Sequence, residues 1–120
     1  MSRDHRKLNV FAQADALVVT VYAETATYPL DERFGLRSQV RRAAVSVPTN
    51  IVEGCARSNT KEYLRFINIA TGSAAETLYL LDLSKRLGFL KPEAYSRLEP
   101  KYTMLIKGLK KLHSSLDGEP

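Results

Sequence analysis

Apolar residues recur at intervals of three and four positions along most of the chain, and no long segment alternates apolar with polar residues. This period is typical of amphipathic helices that bury one face. A run of Val and Thr at 18–21 locally favours a strand, but the surrounding spacing favours helix, because packing overrides such weak preferences. The pattern predicts four helices, at about residues 5–27, 32–57, 60–87 and 92–115.

Capping residues, glycine and proline mark the ends of these predicted helices. Side-chain oxygens accept unpaired N–H groups at a helix start, glycine suits the position after a helix, and proline suits the first helical position. The signals are Ser2 or Asp4 before the first helix, Pro29 after it, Asp31 and Glu32 at the second, Asn59 with Glu62 at the third, and Gly88 and Pro92 around the last connection.

Two prolines fall inside predicted helices. Pro48 interrupts the second helix, but the apolar stripe keeps its phase across it, so we favour one kinked helix over two shorter ones. Pro100 lies in the first turns of the fourth helix, where it predicts a bend or a later helix start. From Tyr95 to Leu116 the fourth helix carries an apolar seam at alternating three- and four-residue spacing.

The connections between these helices are short, which predicts antiparallel neighbours. We therefore expect an all-α, up-down-up-down antiparallel four-helix bundle that forms a single domain over residues 1–120.

The third helix carries more apolar surface than one buried stripe requires. Its middle, at 69–75, is rich in small residues, and Gly72 costs about 1 kcal/mol relative to alanine in a helix interior. Tight packing within the bundle and a subunit interface both explain these features, and the two are compatible. The surplus side chains, which predict an oligomer interface, are Phe66, Ile69, Leu80, Leu83 and Leu87.

Polar residues also lie close to the apolar stripes. A buried carboxylate needs a charged partner or a shifted pKa, so we favour an ion-pair network that fixes helix register. A ligand or catalytic site and plain solvent exposure are the alternatives. The candidate network consists of Arg42, Asn50, Glu53 and Glu76, with Asp15, Glu62 and Arg65 close by.

Composition excludes several classes of protein. The 120 residues contain one cysteine, Cys55, so no internal disulfide framework and no cysteine zinc cluster is expected. No apolar run reaches the roughly 20 residues that a membrane span needs, and the polar N-terminus lacks a signal-peptide pattern. We therefore expect a cytoplasmic protein with no membrane association.

Signals for catalysis and cofactors are weak. Neither His5 nor His113 has a glutamate three residues before it, which removes the di-iron bundle pattern. The glycines do not form a phosphate-binding loop, and Cys55 reads as a small buried hydrophobe. The expectation is a protein that is not an enzyme, with no catalytic residues, no metal and no cofactor.

The formal net charge of +5 is not spread evenly. Residues 33–42 hold four arginines and no acid, and residues 97–111 hold five basic residues against one acid. A phosphate-binding surface and a solvated surface that aids solubility are both compatible with this pattern. In an up-down bundle, Arg6, Lys7, Arg57 and Lys61 are expected to join the 110–111 lysines at one end. The candidate nucleic-acid-binding residues are Arg33, Arg37, Arg41, Lys107, Lys110 and Lys111.

The stretch ERFGLRSQVRRAAVSVPTNIVEG at 32–54 resembles the signature of a bacterial four-helix-bundle family. Some members of that family are encoded by intervening sequences within large-subunit ribosomal RNA genes. The similarity continues through Ser58, Lys61, Glu62, Arg65 and Phe66, and then through Ala70, Gly72, Ser73, Glu76 and the LGFL run at 87–90, so it spans about residues 7–115.

The resemblance implies an up-down bundle that assembles as a ring-like homopentamer. A related branch, the accessory protein of diversity-generating retroelements, binds a reverse transcriptase and nucleic acid through a basic surface, but nothing in these residues places the chain in that branch. We expect a non-enzymatic accessory or scaffold protein associated with RNA or DNA. The alternative is an interaction module that docks an acidic partner protein without nucleic acid.

Overall fold

The computed structural model describes residues 3–117, and four long helices account for most of them. Two short 3₁₀ turns, His5–Lys7 and Leu30–Glu32, precede the first and second helices. This range contains no strand, so the predicted all-helical, four-helix architecture is confirmed. The helices are α1 (Asn9–Thr25), α2 (Leu36–Cys55), α3 (Thr60–Arg86) and α4 (Pro92–Leu116).

The helices pack in the cyclic order α1, α2, α3, α4 and back to α1, so that α1 lies diagonally across the bundle from α3, and α2 from α4. Consecutive helices run in opposite directions, and the molecule measures 48 × 24 × 19 Å. We call the end that holds the starts of α1 and α3 and the ends of α2 and α4 the near end. The opposite end, with the connection at 26–35, is the far end.

The core consists of apolar residues that recur at three- and four-residue spacing along each helix. The seam of α4 supplies its central layers, because Leu98, Tyr102, Leu105 and Leu109 are all buried. Each of the other three helices contributes apolar side chains with no exposed surface. Among them are Val21 from α1, Val40 and Ile51 from α2, and Ile67 and Leu81 from α3.

The starts of α1 and α2 lie later than predicted. The Asp4 carboxylate accepts from the Arg6 N–H at 3.0 Å, but it caps the 3₁₀ turn, and α1 begins only at Asn9. Glu32 does not begin α2. Its Oε1 instead accepts from the Leu36 N–H at 2.8 Å and so caps that helix from outside. The side chain that marks a helix start is therefore displaced from it by up to four residues.

The other predicted boundaries agree with the structure. Asn59 caps α3 by accepting from the Glu62 N–H at 2.8 Å, and Gly88 follows α3 with φ +84°. Pro92 is the first residue of α4, so the later start that Pro100 suggested is wrong.

The second helix passes through Pro48 without a break, as the continuous apolar stripe predicted. Proline lacks an N–H, so the turn before it loses a backbone bond. The side chains of Thr49 and Asn50 donate to the carbonyls of Val45 and Ser46 at 2.8 Å each. These side chains therefore add hydrogen-bond donors to the turn in which the backbone bond is lost.

Candidate nucleic-acid interface

The N-terminal segment is bound to the connection between α2 and α3. The Arg3 N–H donates to the Cys55 carbonyl at 2.7 Å, and its guanidinium lies 4.1 Å from the centroid of the Tyr63 ring. The guanidinium also donates to the Thr60 hydroxyl at 3.5 Å. These contacts fix residues 3–8 across the near end and place their basic side chains beside those of the α2–α3 connection.

The last turns of α4 reach the same end. A Cβ atom built on Gly108 would lie 3.1 Å from Cγ1 of Val10, so the backbones of α4 and α1 approach closely there. A cleft of about 550 Å³ separates the first turns of α3 from the end of α4, and Lys61, Arg65 and His113 are among its lining residues.

The near end carries most of the net charge of the described residues. Residues 3–10, 53–66 and 106–117 hold nine basic residues against four acidic ones, a formal net charge of +5. The other residues between 3 and 117 hold nine basic and eight acidic residues, a net charge of +1. We call the nine basic residues the basic end: Arg3, Arg6, Lys7, Arg57, Lys61, Arg65, Lys107, Lys110 and Lys111.

Two of these cations are paired with acids. Arg6 bonds Asp4 at 3.0 Å, and Arg65 bonds Glu62 at 3.1 Å. The hydrogen bonds from each arginine hold the pKa of its carboxylate partner below the usual value. Six other cations are exposed and have no ion pair within residues 3–117: Lys7, Arg57, Lys61, Lys107, Lys110 and Lys111.

The predicted nucleic-acid-binding residues do not form one surface. Lys107, Lys110 and Lys111 lie at the near end, where Gly108 packs on Val10 of α1. Arg33, Arg37 and Arg41 lie at the far end, where Arg41 contacts Tyr22 of α1. Tyr22 follows Val10 by 12 residues, so about 18 Å of helix separates the two levels. The two groups of candidate residues are separated because α2 begins at the far end, where α4 also begins, whereas the three lysines lie where α4 ends.

Arg41 is engaged within the bundle. Its Nε donates to the Thr25 hydroxyl at 2.8 Å, a second guanidinium nitrogen donates to the Tyr22 carbonyl at 3.1 Å, and the group lies 4.3 Å from the centroid of the Tyr22 ring. The carbonyls in the last turn of a helix lack intrahelical donors. Arg41 therefore closes the end of α1, and we remove it from the set of free cations.

The predicted oligomer interface is split by the structure. Phe66 and Leu80 are 6% and 3% exposed within the single chain, so they have almost no surface for a partner. The correction follows from the position of α3, which packs against both α2 and α4 and so buries two stripes. Ile69 and Leu87 are exposed, and Leu83 is half-buried.

The small-residue segment of α3 is divided between the core and the surface: Ala70 and Ala74 are buried, whereas Gly72 is exposed. A Cβ atom built on Gly72 would meet nothing within 4 Å, so tight packing within the bundle does not explain this glycine.

A polar network joins α2 to α3, but it differs from the predicted one. Asn50 donates to the Ser46 hydroxyl at 2.9 Å, and that hydroxyl bonds the Ser73 hydroxyl of α3 at 2.9 Å. Arg42, Glu53 and Glu76 are exposed, and none of them makes an ion pair with another described residue. The prediction assumed that these charges are buried against a neighbouring helix, but all three are exposed, and Arg42 and Glu76 line a groove that is open to solvent. The prediction did not consider the serine hydroxyls of α2 and α3, Ser46 and Ser73, which bond each other.

A second concave surface lies between α2 and α3 towards the far end. This groove has a volume of about 640 Å³, and we call it the α2–α3 groove. The sequence reasoning gave no role to Phe34, although it forms part of the rim and is 85% exposed. The lining residues are Phe34, Gly35, Ser38, Gln39, Arg42, Ala43, Ser46 and Glu76.

Residues 3–117 contain no group of three or more His, Cys, Asp or Glu side chains that could hold a metal ion. Cys55 is buried, and burial raises the pKa of its thiol. No helix in the described range is long and apolar enough to cross a membrane.

Comparison with known proteins gives one family and one fold. The family model described as "23S rRNA-intervening sequence protein" matches residues 6–111. A crystal structure of a protein of unknown function from the S23 ribosomal protein family of Bacteroides thetaiotaomicron superimposes with a TM-score of 0.78 at 23% identity. The match covers 87% of this chain and 97% of that one, and it supports the helical fold. No curated protein matches the chain.

Proposed function

Because the chain belongs to the family of 23S rRNA-intervening sequence proteins, we propose that it is a non-enzymatic accessory or scaffold protein that binds the phosphate backbone of nucleic acid through the basic end. The observation that carries this proposal is the charge asymmetry of the bundle. Nine basic and four acidic residues lie at the near end, whereas the other residues between 3 and 117 carry nine basic and eight acidic side chains. A cluster of exposed, unpaired cations attracts polyanions irrespective of base sequence.

The salt dependence of binding follows from the number of free cations. Each neutralised phosphate contributes about −0.7 to the slope of log K against log salt for a single strand, and about −0.9 for a duplex. If all six unpaired cations contact phosphates, the slope is about −4 for single-stranded RNA. Raising the salt from 50 to 200 mM would then weaken binding roughly 250-fold.

Fluorescence anisotropy with a labelled mixed-sequence RNA tests the proposal. Lys110→Gln combined with Lys111→Gln should reduce the slope by about 1.4. The matched control combines Lys91→Gln with Lys101→Gln, which removes the same charge from exposed positions outside the basic end. Equal effects of the two double variants, or binding that does not respond to salt, would contradict the proposal.

We also propose that the chain assembles with itself, as a homopentamer. Ile69, Tyr79 and Leu87 are 40%, 57% and 54% exposed, and the open position of Gly72 would allow another backbone to approach α3. Five copies of 13.5 kDa give a particle of about 68 kDa. Light scattering that reports a single chain of 13.5 kDa at micromolar concentration would contradict assembly.

The non-enzymatic part of the proposal is supported by the positions of the acidic candidates. Asp15, Glu53 and Glu76 are exposed, whereas general acids and bases are commonly tuned by burial or by close charged neighbours. We propose that the protein acts in the cytoplasm.

An acidic protein partner is the second candidate, and the same charge asymmetry favours it. A reverse transcriptase, which is the partner of the related retroelement branch, stays a prediction for this chain. Affinity purification with and without nuclease separates the two candidates. A partner protein retained after nuclease digestion favours protein docking, and its loss favours nucleic acid.

A further inference from the structure

The α2–α3 groove has an aromatic rim. The Phe34 ring is 85% exposed, and the Arg33 guanidinium lies 4.7 Å from its centroid. A large apolar side chain so fully exposed to water gains nothing for the fold, since hydrophobic stabilisation scales with the apolar area that is buried. Phe34 therefore presents a ring that is open to a planar ligand.

The groove beside this ring is polar. Ser38, Gln39 and Ser46 line the α2 side, and Glu76 lines the α3 side. Arg42 also lines it, is exposed, and has no ion pair within residues 3–117. The volume of about 640 Å³ falls in the range of roughly 300–1,000 Å³ that is typical of small-molecule sites.

We propose that the α2–α3 groove binds an unpaired nucleotide of a single-stranded nucleic acid, with its base stacked on Phe34 and its phosphate at Arg42. Aromatic side chains beside arginines are the usual platform for unpaired bases, because every base presents a π-face. Gln39 and Glu76 also line the groove, and their side chains carry donor and acceptor groups of the kind that bond the edge of a base. A duplex does not fit this chemistry, since its bases are already stacked on each other.

The polar lining and the arginines near the rim favour a nucleic acid over an apolar peptide as the occupant. The rim belongs to the stretch 33–42, which holds no acid and in which Arg33, Arg37 and Arg42 remain after Arg41 bonds α1. Glu76 is the one acid in the lining, and these three arginines outnumber it. The inference rests on the proposed function and deepens it. It adds a preference for single strands at a site towards the far end, away from the near-end lysines.

Phe34→Ala tests this inference in the full chain, using a labelled single-stranded RNA of about 12 nucleotides and the same RNA as a duplex. Loss of one stacked base should weaken single-strand binding about 5- to 150-fold and leave duplex binding unchanged. Phe34→Tyr should restore most of the affinity. Leu30→Ala is the matched control, because Leu30 is 75% exposed in the same connection but does not line the groove.

Several outcomes would overturn the inference. One is an equal loss of affinity for both RNAs, and another is no loss of affinity for either. A third is a change in the light-scattering mass of Phe34→Ala, which would show that another copy of the chain occupies the groove. Failure of the basic-end proposal gives a distinguishable result. In that case Lys110→Gln combined with Lys111→Gln would leave the affinity for duplex RNA unchanged. Competition by adenosine monophosphate as effective as that by the oligonucleotide would overturn the strand requirement.

Discussion

Gly72 offers a direct test of how the third helix is packed. It lies in the interior of α3, and a Cβ atom placed on it meets nothing within 4 Å. Alanine is more favourable than glycine in a helix interior by about 1 kcal/mol, because glycine loses more backbone entropy on folding. Gly72→Ala should therefore raise the free energy of unfolding by about 1 kcal/mol, or the melting temperature by about 4 °C.

Gly54 is the matched control, since it is also helical but closely packed. A Cβ atom at this position would lie 2.9 Å from the Phe66 Cβ and 3.3 Å from the Tyr63 carbonyl oxygen. Neither atom is the far end of a flexible side chain, so the backbones of α2 and α3 would have to separate. Overpacking of this kind costs about 1–3 kcal/mol, and Gly54→Ala should be destabilising despite the gain in helix propensity.

Urea denaturation followed by circular dichroism measures both variants, and it should be repeated over a range of protein concentrations. Destabilisation by Gly72→Ala at the lowest concentration would refute the reasoning, because it would mean that the α3 surface is packed within one chain. Stabilisation at low concentration with a loss of assembly at high concentration would instead place Gly72 in a contact between copies.

Three further substitutions test individual contacts. Tyr63 is buried and its hydroxyl has no hydrogen-bond partner in the described structure, so Tyr63→Phe should be neutral to about 1 kcal/mol stabilising at pH 7. Burial raises the pKa of Tyr63 to about 12, so its contribution to stability is present below pH 10 and is lost as the pH rises from 10 to 12. Between pH 10 and 12 the free energy of unfolding of the wild type should fall by about 2–3 kcal/mol more than that of Tyr63→Phe, as measured by urea titration at each pH. Identical pH profiles of the two proteins would contradict this. Asn59→Ala should cost about 1 kcal/mol in thermal melts, whereas Asn59→Asp keeps the cap on α3. Arg41→Gln should cost about 1–2 kcal/mol through its lost bonds to α1, and an equal cost for Arg37→Gln would show that the bonds contribute nothing.

The helical periodicity predicted the number and order of the helices, because burying one stripe per helix is what drives the bundle together. The caps of α3 were equally readable, since Asn59 bonds an N–H only three residues away. The start of α2 could not be predicted from the sequence, because the residue that caps it, Glu32, lies four positions upstream, within a 3₁₀ turn that the apolar pattern does not show. The open position of Gly72 was also beyond prediction, since it depends on how α3 is rotated between its two neighbours.

Charge shows most clearly what the fold adds to the sequence. The stretch 33–42 has the densest run of arginines, yet acids from other segments nearly balance the described residues outside the near end, where the net charge is +1. The basic end combines three segments whose individual net charges are small: +2 for 3–10, +1 for 53–66 and +2 for 106–117. Antiparallel packing brings these segments together because helices alternate in direction. If the proposed pentamer aligns its five bundles along the ring axis, their basic ends fall on one face of the ring. The segments on that face would carry five times +5, and the other described residues five times +1.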